Sequence, residues 1–449
     1  MVDIKIKIDE GAREIIERLN QNGYKAYIVG GCVRDLIMGK TPYDWDITTS
    51  ALPEEILEVF SSYYTIPTGI KHGTVTVRLN GQNYEVTTFR KDGDYKDNRH
   101  PEKVDFVTCI EEDLRRRDFT VNSMAYSENE GLIDLYGGLF DINNKIIRAV
   151  GDPYERFSED ALRILRGARF SSALGFEVEE NTKKAMFELV ENLKSVSVER
   201  VFVELDKLLL GKNVKAVLLD LYKIIFAVIP ELEKCYKFAQ HSKWHKYDVY
   251  EHTAVAVESI EKDSLLRWCM LLHDIGKPDK FFIKDGEGHF YGHPERSEVI
   301  AKEILERLKV STAFKREVCN LILIHDKRIT LTREKVKKAL SKMGEKTFFD
   351  LMKVKLADNN AQATSLALAE NENVRNLLSL GEEIVKSGEC YNLSRLAVDG
   401  NDILELGIEG KKVGEVLGRL LDEVIYGNIP NEKERLIASV KKTIERGTI

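Results

Sequence analysis

Apolar residues recur at two spacings along the chain, and each predicts a different kind of element. Ala12, Ile15, Ile16 and Leu19 fall at helical intervals, so residues 9–21 read as an amphipathic helix. The run Ala26-Tyr27-Ile28-Val29 reads as a strand over 25–29. A short helix over 32–38, a strand over 43–48 and a helix from Pro53 to about Phe60 follow. Val75, Val77 and Leu79 alternate, and Asn80-Gly81 is a two-residue hairpin signal leading into a strand over Tyr84–Phe89. In that register Glu85 points away from the apolar face. Residues 91–103 are polar, hold glycine and proline and lack periodicity, so they read as a loop. From about residue 155 the pattern is almost wholly helical. The fold class is α+β, a mixed α/β head followed by a long helical remainder, with no low-complexity segment and no internal repeat.

Composition narrows this little. A length of 449 residues suggests roughly three domains. No apolar run approaches the roughly 18–20 residues of a membrane helix. Met1-Val2-Asp3-Ile4-Lys5 lacks the basic-then-apolar start of a secretory signal. Cysteines 32, 109, 235, 269, 319 and 390 are scattered, with no CxxC pair, as in the reducing cytoplasm. A cytoplasmic location is the expectation, with no membrane partner. The formal net charge is −7, so any nucleic-acid binding must come from local basic patches.

The most informative chemistry sits early. Gly30-Gly31-Cys32-Val33-Arg34-Asp35 follows the first strand and precedes a helix, whose free N-terminal amides suit phosphate. Asp44 and Asp46 stand at i and i+2, so on a strand over 43–48 both point to one face and can bridge divalent cations. Glu85 is the candidate third carboxylate. Further on, Arg115-Arg116-Arg117 is expected to precede a helix, where it could hold a triphosphate or form a solvated charge run. A helix is predicted through Phe157–Arg169, with Ser158 as its N-cap and Phe157 and Leu162 as a hydrophobic staple. Asp160, Arg163, Arg166 and Arg169 step along it at i+3 intervals, making Asp160 and Arg163 neighbours. Cytosine and adenine both present an amino donor beside a ring-nitrogen acceptor. A carboxylate next to a guanidinium fits that edge and repels uracil and guanine. The alternative is a routine ion pair.

These motifs together resemble a known family. GGCVRD with DWD, then LRRRDFTVNSMAY, then EDALRILRGARF are similar to successive motifs of the class II tRNA nucleotidyltransferases (CCA-adding enzymes) and their poly(A) polymerase relatives, from about residue 23 to 180. Asp399-Gly400-Asn401-Asp402 and Gly427-Asn428-Ile429-Pro430-Asn431 also resemble the family's C-terminal region. The resemblance implies a polymerase-β-like head with helical neck, body and tail. It implies magnesium ions on Asp44 and Asp46, triphosphate contacts from Gly31 and Arg34, and nucleotide binding by Arg117. Base reading would fall to Asp160 and Arg163, with further contacts from Arg166 and Arg169. The loop 91–103 matches a flexible element kept by full CCA-adding members. CTP, ATP and the tRNA 3′ end are the implied partners.

Seven of the nine histidines lie between His241 and His325. Glu251-His252-Thr253, Leu272-His273-Asp274-Ile275-Gly276-Lys277, Gly292-His293, His325 and Ala357-Asp358 resemble the HD phosphohydrolase superfamily. Imidazoles and carboxylates mixed on helices suit a divalent transition metal. The resemblance implies a first site of His252, His273, Asp274 and Asp358, with His293 and His325 as the place for a second ion. The implied domains are a head over 1–150, a helical neck and RNA-binding region over 151–240, an HD domain over 241–370 and a tRNA-binding tail over 371–449. Three alternatives stay open. They are a poly(A) polymerase or A-only adder, an HD phosphohydrolase whose head only binds nucleotide, and a non-enzymatic RNA-binding protein.

Overall fold

The computed structural model describes residues 6–92, 104–362 and 364–445, and the chain divides into two compact units at Pro230/Glu231. Within the first unit, α1 (Glu10–Gln21), β1 (Ala26–Val29), α2 (Gly31–Ile37), β2 (Asp46–Thr49) and α3 (Pro53–Val59) follow the predicted order. Then come β3 (Tyr64–Gly69), β4 (Thr74–Leu79) and β5 (Gln82–Thr88). Asn80 and Gly81 both take positive φ, 51° and 82°, as a tight turn between right-twisted strands requires. A small ribbon of β6 (Arg90–Asp92) and β7 (Val104–Phe106) occupies the ends of the predicted loop. Residues 93–103 of that expected loop lie outside the described residues. After α4 (Ile110–Arg115) come β8 (Met124–Ser127), β9 (Gly131–Asp134) and α5 (Gly138–Asn144).

Seven strands form one mixed sheet in the order β3-β4-β5-β2-β1-β8-β9, with β2 parallel to β5 and the other pairs antiparallel. Tyr27, Val29, Phe89, Ile110, Leu114 and Ala125 form a buried cluster that seats α4 against β1 and β8. Helices α6 (Pro153–Glu159), α7 (Leu162–Leu174), α8 (Glu180–Glu188), α9 (Val198–Leu209), α10 (Val214–Asp220) and α11 (Tyr222–Val228) complete the unit.

Three local expectations are corrected. Strand β2 starts at Asp46, so Asp44 lies in the bend before it, with the buried Trp45 between them. The arginines 115–117 close α4 instead of leading into a helix, because Asp113 in the same helix collects two of them. The helix predicted over 157–169 is two helices broken at Asp160. Asp152 caps α6 with Pro153 at its first position, which displaces Ser158 from the capping role. Asp160 is extended (φ −136°, ψ 103°), and its Oδ1 accepts from Leu162 N at 3.0 Å. An aspartate that satisfies the next helix's free amide competes with continuation of its own helix.

The second unit is helical. It holds α12 (Val249–Ser259), α13 (Ser264–Leu272), α14 (Lys277–Lys280), α15 (His293–Arg307), α16 (Thr312–Ile324), α17 (Arg333–Met343), α18 (Glu345–Gln362) and α19 (Ser365–Ser387). A small hairpin of Phe282–Lys284 and Glu287–His289 interrupts them. The end of the chain builds its own core from α20 (Gly400–Leu404), α21 (Lys411–Ile425) and α22 (Lys433–Glu445) around Leu420, Leu436 and Val440. No helix among the described residues is long and apolar enough to cross a membrane.

Candidate active site and metal centre

In the head, Gly30 takes φ +76°, and its N–H donates to Met124 O at 3.0 Å, which ends β1 sharply. A Cβ at Gly30 would lie 2.9 Å from Arg117 Nη1, so this glycine makes room for a guanidinium. Asp46 pairs in register with Glu85 on the neighbouring strand, which puts both carboxylates on one face. Burial raises the Asp46 carboxyl above its ordinary value; Glu85 and Asp44 push the same way, and Arg117 opposes them. The three predicted carboxylates and Arg117 are thus electrostatic neighbours. Asp44 and Glu85 are exposed, and at least one pair of the three has its ligand atoms more than 4.8 Å apart.

Arg117 is anchored from behind. The fully buried Asp113 accepts from Arg117 Nη2 at 3.2 Å and from Arg116 Nε at 3.0 Å and Nη2 at 2.7 Å. It also accepts from Thr48 Oγ1, on the strand that carries Asp46, at 3.4 Å. Burial alone would raise the Asp113 carboxyl, but the two guanidiniums outweigh it and hold it below the usual range.

Arg34, Arg166 and Arg169 are brought together around Phe170, with guanidinium carbons 5.7, 5.4 and 4.1 Å from its ring centroid. Arg34 Nη1 donates to Asn122 Oδ1 at 2.6 Å, and Asn122 Nδ2 stands 3.5 Å from Asp118 Oδ1. Asp118 Oδ2 accepts from Arg166 Nε at 2.7 Å. Burial tends to raise the Asp118 carboxyl, and Arg166 and Arg163 pull it below the ordinary value.

The side chains of Asp160 and Arg163 take separate partners. Arg163, mostly buried, donates Nη1 to Glu159 Oε2 at 2.6 Å and to Arg156 O at 3.1 Å, and Nη2 to Arg116 O at 3.0 Å. Asp160 Oδ2 accepts from Arg200 Nη2 on α9 at 3.1 Å. Arg163 N donates to Asp160 O at 3.0 Å, so the two share a turn while their side chains take other partners.

In the second unit all six predicted ligands converge. His252 Nε2 lies 3.2 Å from His273 Nε2, 3.2 Å from Asp274 Oδ2 and 3.1 Å from Asp358 Oδ1. The other oxygen of Asp274 faces the second pair, with Oδ1 3.3 Å from His293 Nε2 and 3.8 Å from His325 Nε2. The ligand atoms within each of the two groups lie within 4.8 Å of one another. The Nδ1 atoms of His273, His293 and His325 face Met270 O, Phe290 O and Ile322 O at 2.7, 3.0 and 2.6 Å. Donation there would leave Nε2 facing the cluster, the tautomer a metal needs. Burial pushes the His325 imidazole down to about 3, so it is neutral. Acceptor atoms this close, with little solvent access, call for a cation between them. A cavity of about 700 Å³ opens onto the centre, and Lys277, Arg328 and Lys355 line it.

Two family models match the earlier part of the chain, one described as "Poly A polymerase head domain" over residues 26–148 and one as "Probable RNA and SrmB- binding site of polymerase A" over 175–235. A second tRNA nucleotidyltransferase domain model matches 293–440. The chain is 33% identical to the CCA-adding enzyme of Enterococcus faecalis over 97% of its own length and 96% of that protein. It is 36% identical to that of Ligilactobacillus salivarius, over 97% and 96%. The chain belongs to the CCA-adding enzyme family. The crystal structure of the Bacillus stearothermophilus CCA-adding enzyme in complex with CTP superimposes with a TM-score of 0.71 at 30% identity, covering 97% of this chain and 98% of that one.

Against that family background, several residues of the site escaped the sequence reading. Asp118 and Asn122 sit inside the LRRRDFTVNS motif, so a search for partners of its arginines would have found them. Phe170 likewise closes the EDALRILRGARF motif, whereas Asp113, Arg200 and Glu204 carry no such signal. Arg200 and Glu204 reach the site from α9, roughly 40 residues on, by tertiary packing alone.

Proposed function

We propose that this chain completes the 3′-terminal CCA of tRNA from CTP and ATP by template-independent nucleotidyl transfer. The observation that carries the reading is the in-register pair of Asp46 and Glu85, with Asp44 and Arg117 as electrostatic neighbours, beside the glycine turn. The donor set is hard carboxylate oxygen, and its mutual repulsion at Asp46 is relieved by a divalent cation, so it fits magnesium. Magnesium held by Asp44 and Asp46 would acidify the tRNA 3′-hydroxyl and neutralise charge on the leaving pyrophosphate. Glu85 supports that pair as the third carboxylate. Arg117 and Arg34 flank the turn at Gly30 and Gly31 and hold the triphosphate. Arg166 and Arg169 extend the positive wall. Asp160 accepts from the base amino group, and Arg163, held in one plane by three acceptors, donates to the ring nitrogen. Incubation with tRNA lacking CCA and each labelled nucleotide in turn tests the reading. Two CMP followed by one AMP is the expected product; AMP alone, or a long A tract, would establish the A-only or poly(A) alternative.

The second unit supports a further activity, metal-dependent phosphoester hydrolysis, carried by the division of Asp274 between two ligand groups. Mixed imidazole and carboxylate donors fit divalent transition metals. Such ions would activate water and polarise a phosphoryl oxygen. Lys277, 2.7 Å from Asp274 Oδ2, and the cations around the cavity are placed to hold phosphate. Hydrolysis of small phosphoesters measured with nickel, cobalt, manganese and magnesium decides it: activity with none of them leaves the centre structural.

A further inference from the structure

The hairpin of Phe282–Lys284 and Glu287–His289 stands at the mouth of the cavity that leads to the six-ligand centre. It is braced from one side. Gly288 N donates to His241 O at 2.8 Å, and a Cβ at Gly288 would lie 2.2 Å from Gln240 O, so the strand presses onto the segment before α12. Phe281 packs on Phe238 and on the buried Phe290, with ring centroids 5.3 and 5.5 Å away. Three further rings stay at the surface. His289 stacks on its cross-strand partner Phe282 at 5.5 Å and 28°, and on Tyr291 at 5.3 Å and 30°. Tyr291 is 70% exposed and Phe282 40%. His289 and Tyr291 line the cavity, and Phe282 carries the aromatic surface on from them. Rings kept in water on a braced hairpin offer faces for stacking.

We propose that this hairpin is a stacking platform for the end of an unpaired RNA strand, whose terminal phosphoester the second centre receives. The inference deepens the hydrolase reading of that centre, on which it rests for the phosphoester, by naming a strand end and not a free nucleotide as the ligand. Charge selects the class of occupant. Lys277, Arg328 and Lys355 line the same cavity as Tyr291, so a ligand that meets them all needs an anionic group close to a flat π-face. Nucleotides combine the two, and stacking on an aromatic ring accepts any base because every base has such a face. Extent then selects a strand over a mononucleotide. Tyr291 stands in the cavity wall two residues before the ligand His293, where it takes the base next to the phosphoester. A mononucleotide has no second base to offer. Phe282, with its ring centroid 5.5 Å from that of Tyr291, serves the neighbouring base along a chain.

The experiment uses the full chain and a five-nucleotide RNA with 2-aminopurine as its last base. The RNA ends in a 3′-thiophosphate, which hydrolyses slowly and blocks extension by the head. Quenching of the 2-aminopurine on stacking reports binding, and 2-aminopurine riboside 3′-thiophosphate is the one-base comparison. The pentanucleotide should bind at least about fivefold more tightly than the mononucleotide, the low end for one stacked base. Phe282→Ala should remove that advantage, and Tyr291→Ala should weaken both probes. Tyr291→Phe should restore what Tyr291→Ala loses. Phe282→Leu, which keeps apolar area without a π-face, should behave as Phe282→Ala does and so separates stacking from hairpin packing. Equal affinity of the wild type for the two probes overturns the proposal in favour of a mononucleotide site. Binding that ignores both rings overturns it too, as does a dimer that Phe282→Ala dissociates, because the rings would then be an interface between copies. Hydrolysis of the all-oxygen 3′-phosphate pentanucleotide, measured with the same four metals, separates the two layers. Ring-dependent binding without hydrolysis leaves the platform standing and fails only the hydrolase reading.

Discussion

The head and the second unit each gather carboxylates for cations, yet they do so in opposite ways. In the head, Asp44 and Glu85 are exposed and the three acids are spread. In the second unit, His252, His273, Asp274 and His325 are almost fully buried, and their ligand atoms already stand at 3–4 Å. An open carboxylate face suits cations that arrive with a triphosphate and leave with pyrophosphate. A closed set of buried imidazoles and carboxylates suits ions that stay. The difference teaches that burial, more than the number of candidate ligands, sets the two groups apart.

The largest effect that could break this contrast is at Asp46. Asp46→Ala should lower CMP and AMP incorporation together by on the order of 10³-fold, about 4 kcal/mol, because the activation is common to every addition. Asp274→Ala should leave incorporation near wild type and remove phosphoester hydrolysis. Parallel loss of both activities in either variant would show that the centres are not separate.

Next in size is Asp113→Asn, which strips a fully buried carboxylate from two guanidiniums and should cost about 3 kcal/mol of stability by chemical denaturation. The pH dependence follows from the low carboxyl of Asp113. A group depressed in the folded state contributes its full stability above the ordinary value of about 3.9 and loses it as pH falls towards the folded value. The acid limb of the wild-type stability curve should therefore be steeper than that of Asp113→Asn. Parallel curves would remove Asp113 from the account.

Metal removal should be somewhat smaller in effect. Saturating manganese or nickel to 100 times its Kd stabilises a single-site folded unit by about 2.7 kcal/mol, read as a rise in Tm after chelation and re-addition. Asp274→Asn should abolish that rise, whereas Asp46→Ala should leave it intact. A rise of equal size in Asp274→Asn would mean that the ions bind elsewhere. The smallest effect is expected from Gly30→Ala, about 1–3 kcal/mol of strain at φ +76° together with displacement of Arg117. It should weaken all nucleotides alike and leave hydrolysis unchanged.

Much of this was legible in the chain, for identifiable reasons. The Asn80-Gly81 turn fixed the β4–β5 register, and with it the face of Glu85, because turn chemistry is local. The convergence of the six histidines and aspartates of the second unit was legible because each stands on or beside a helix. What escaped was decided by competition and by distance. Ser158 had capping chemistry, but Asp152-Pro153 upstream was the stronger start, and the helix then broke where Asp160 could serve Leu162 N. The tie from Asp160 to Arg200 depends on how α7 lies against α9, which no local pattern encodes.

One buried carboxylate ends up as a mechanical datum for the head. Asp113 touches Thr48 on the strand that carries Asp46, and it holds Arg117, the guanidinium beside the glycine turn. The acid that would bind the cation and the cation that would bind the phosphate are thus referenced to a single pin and not to opposite walls of a cleft. A shift of that strand would carry both groups together and leave the gap between them unchanged. A polymerising site that must repeat the same step on a lengthening strand gains more from a constant gap than from a rigid cleft.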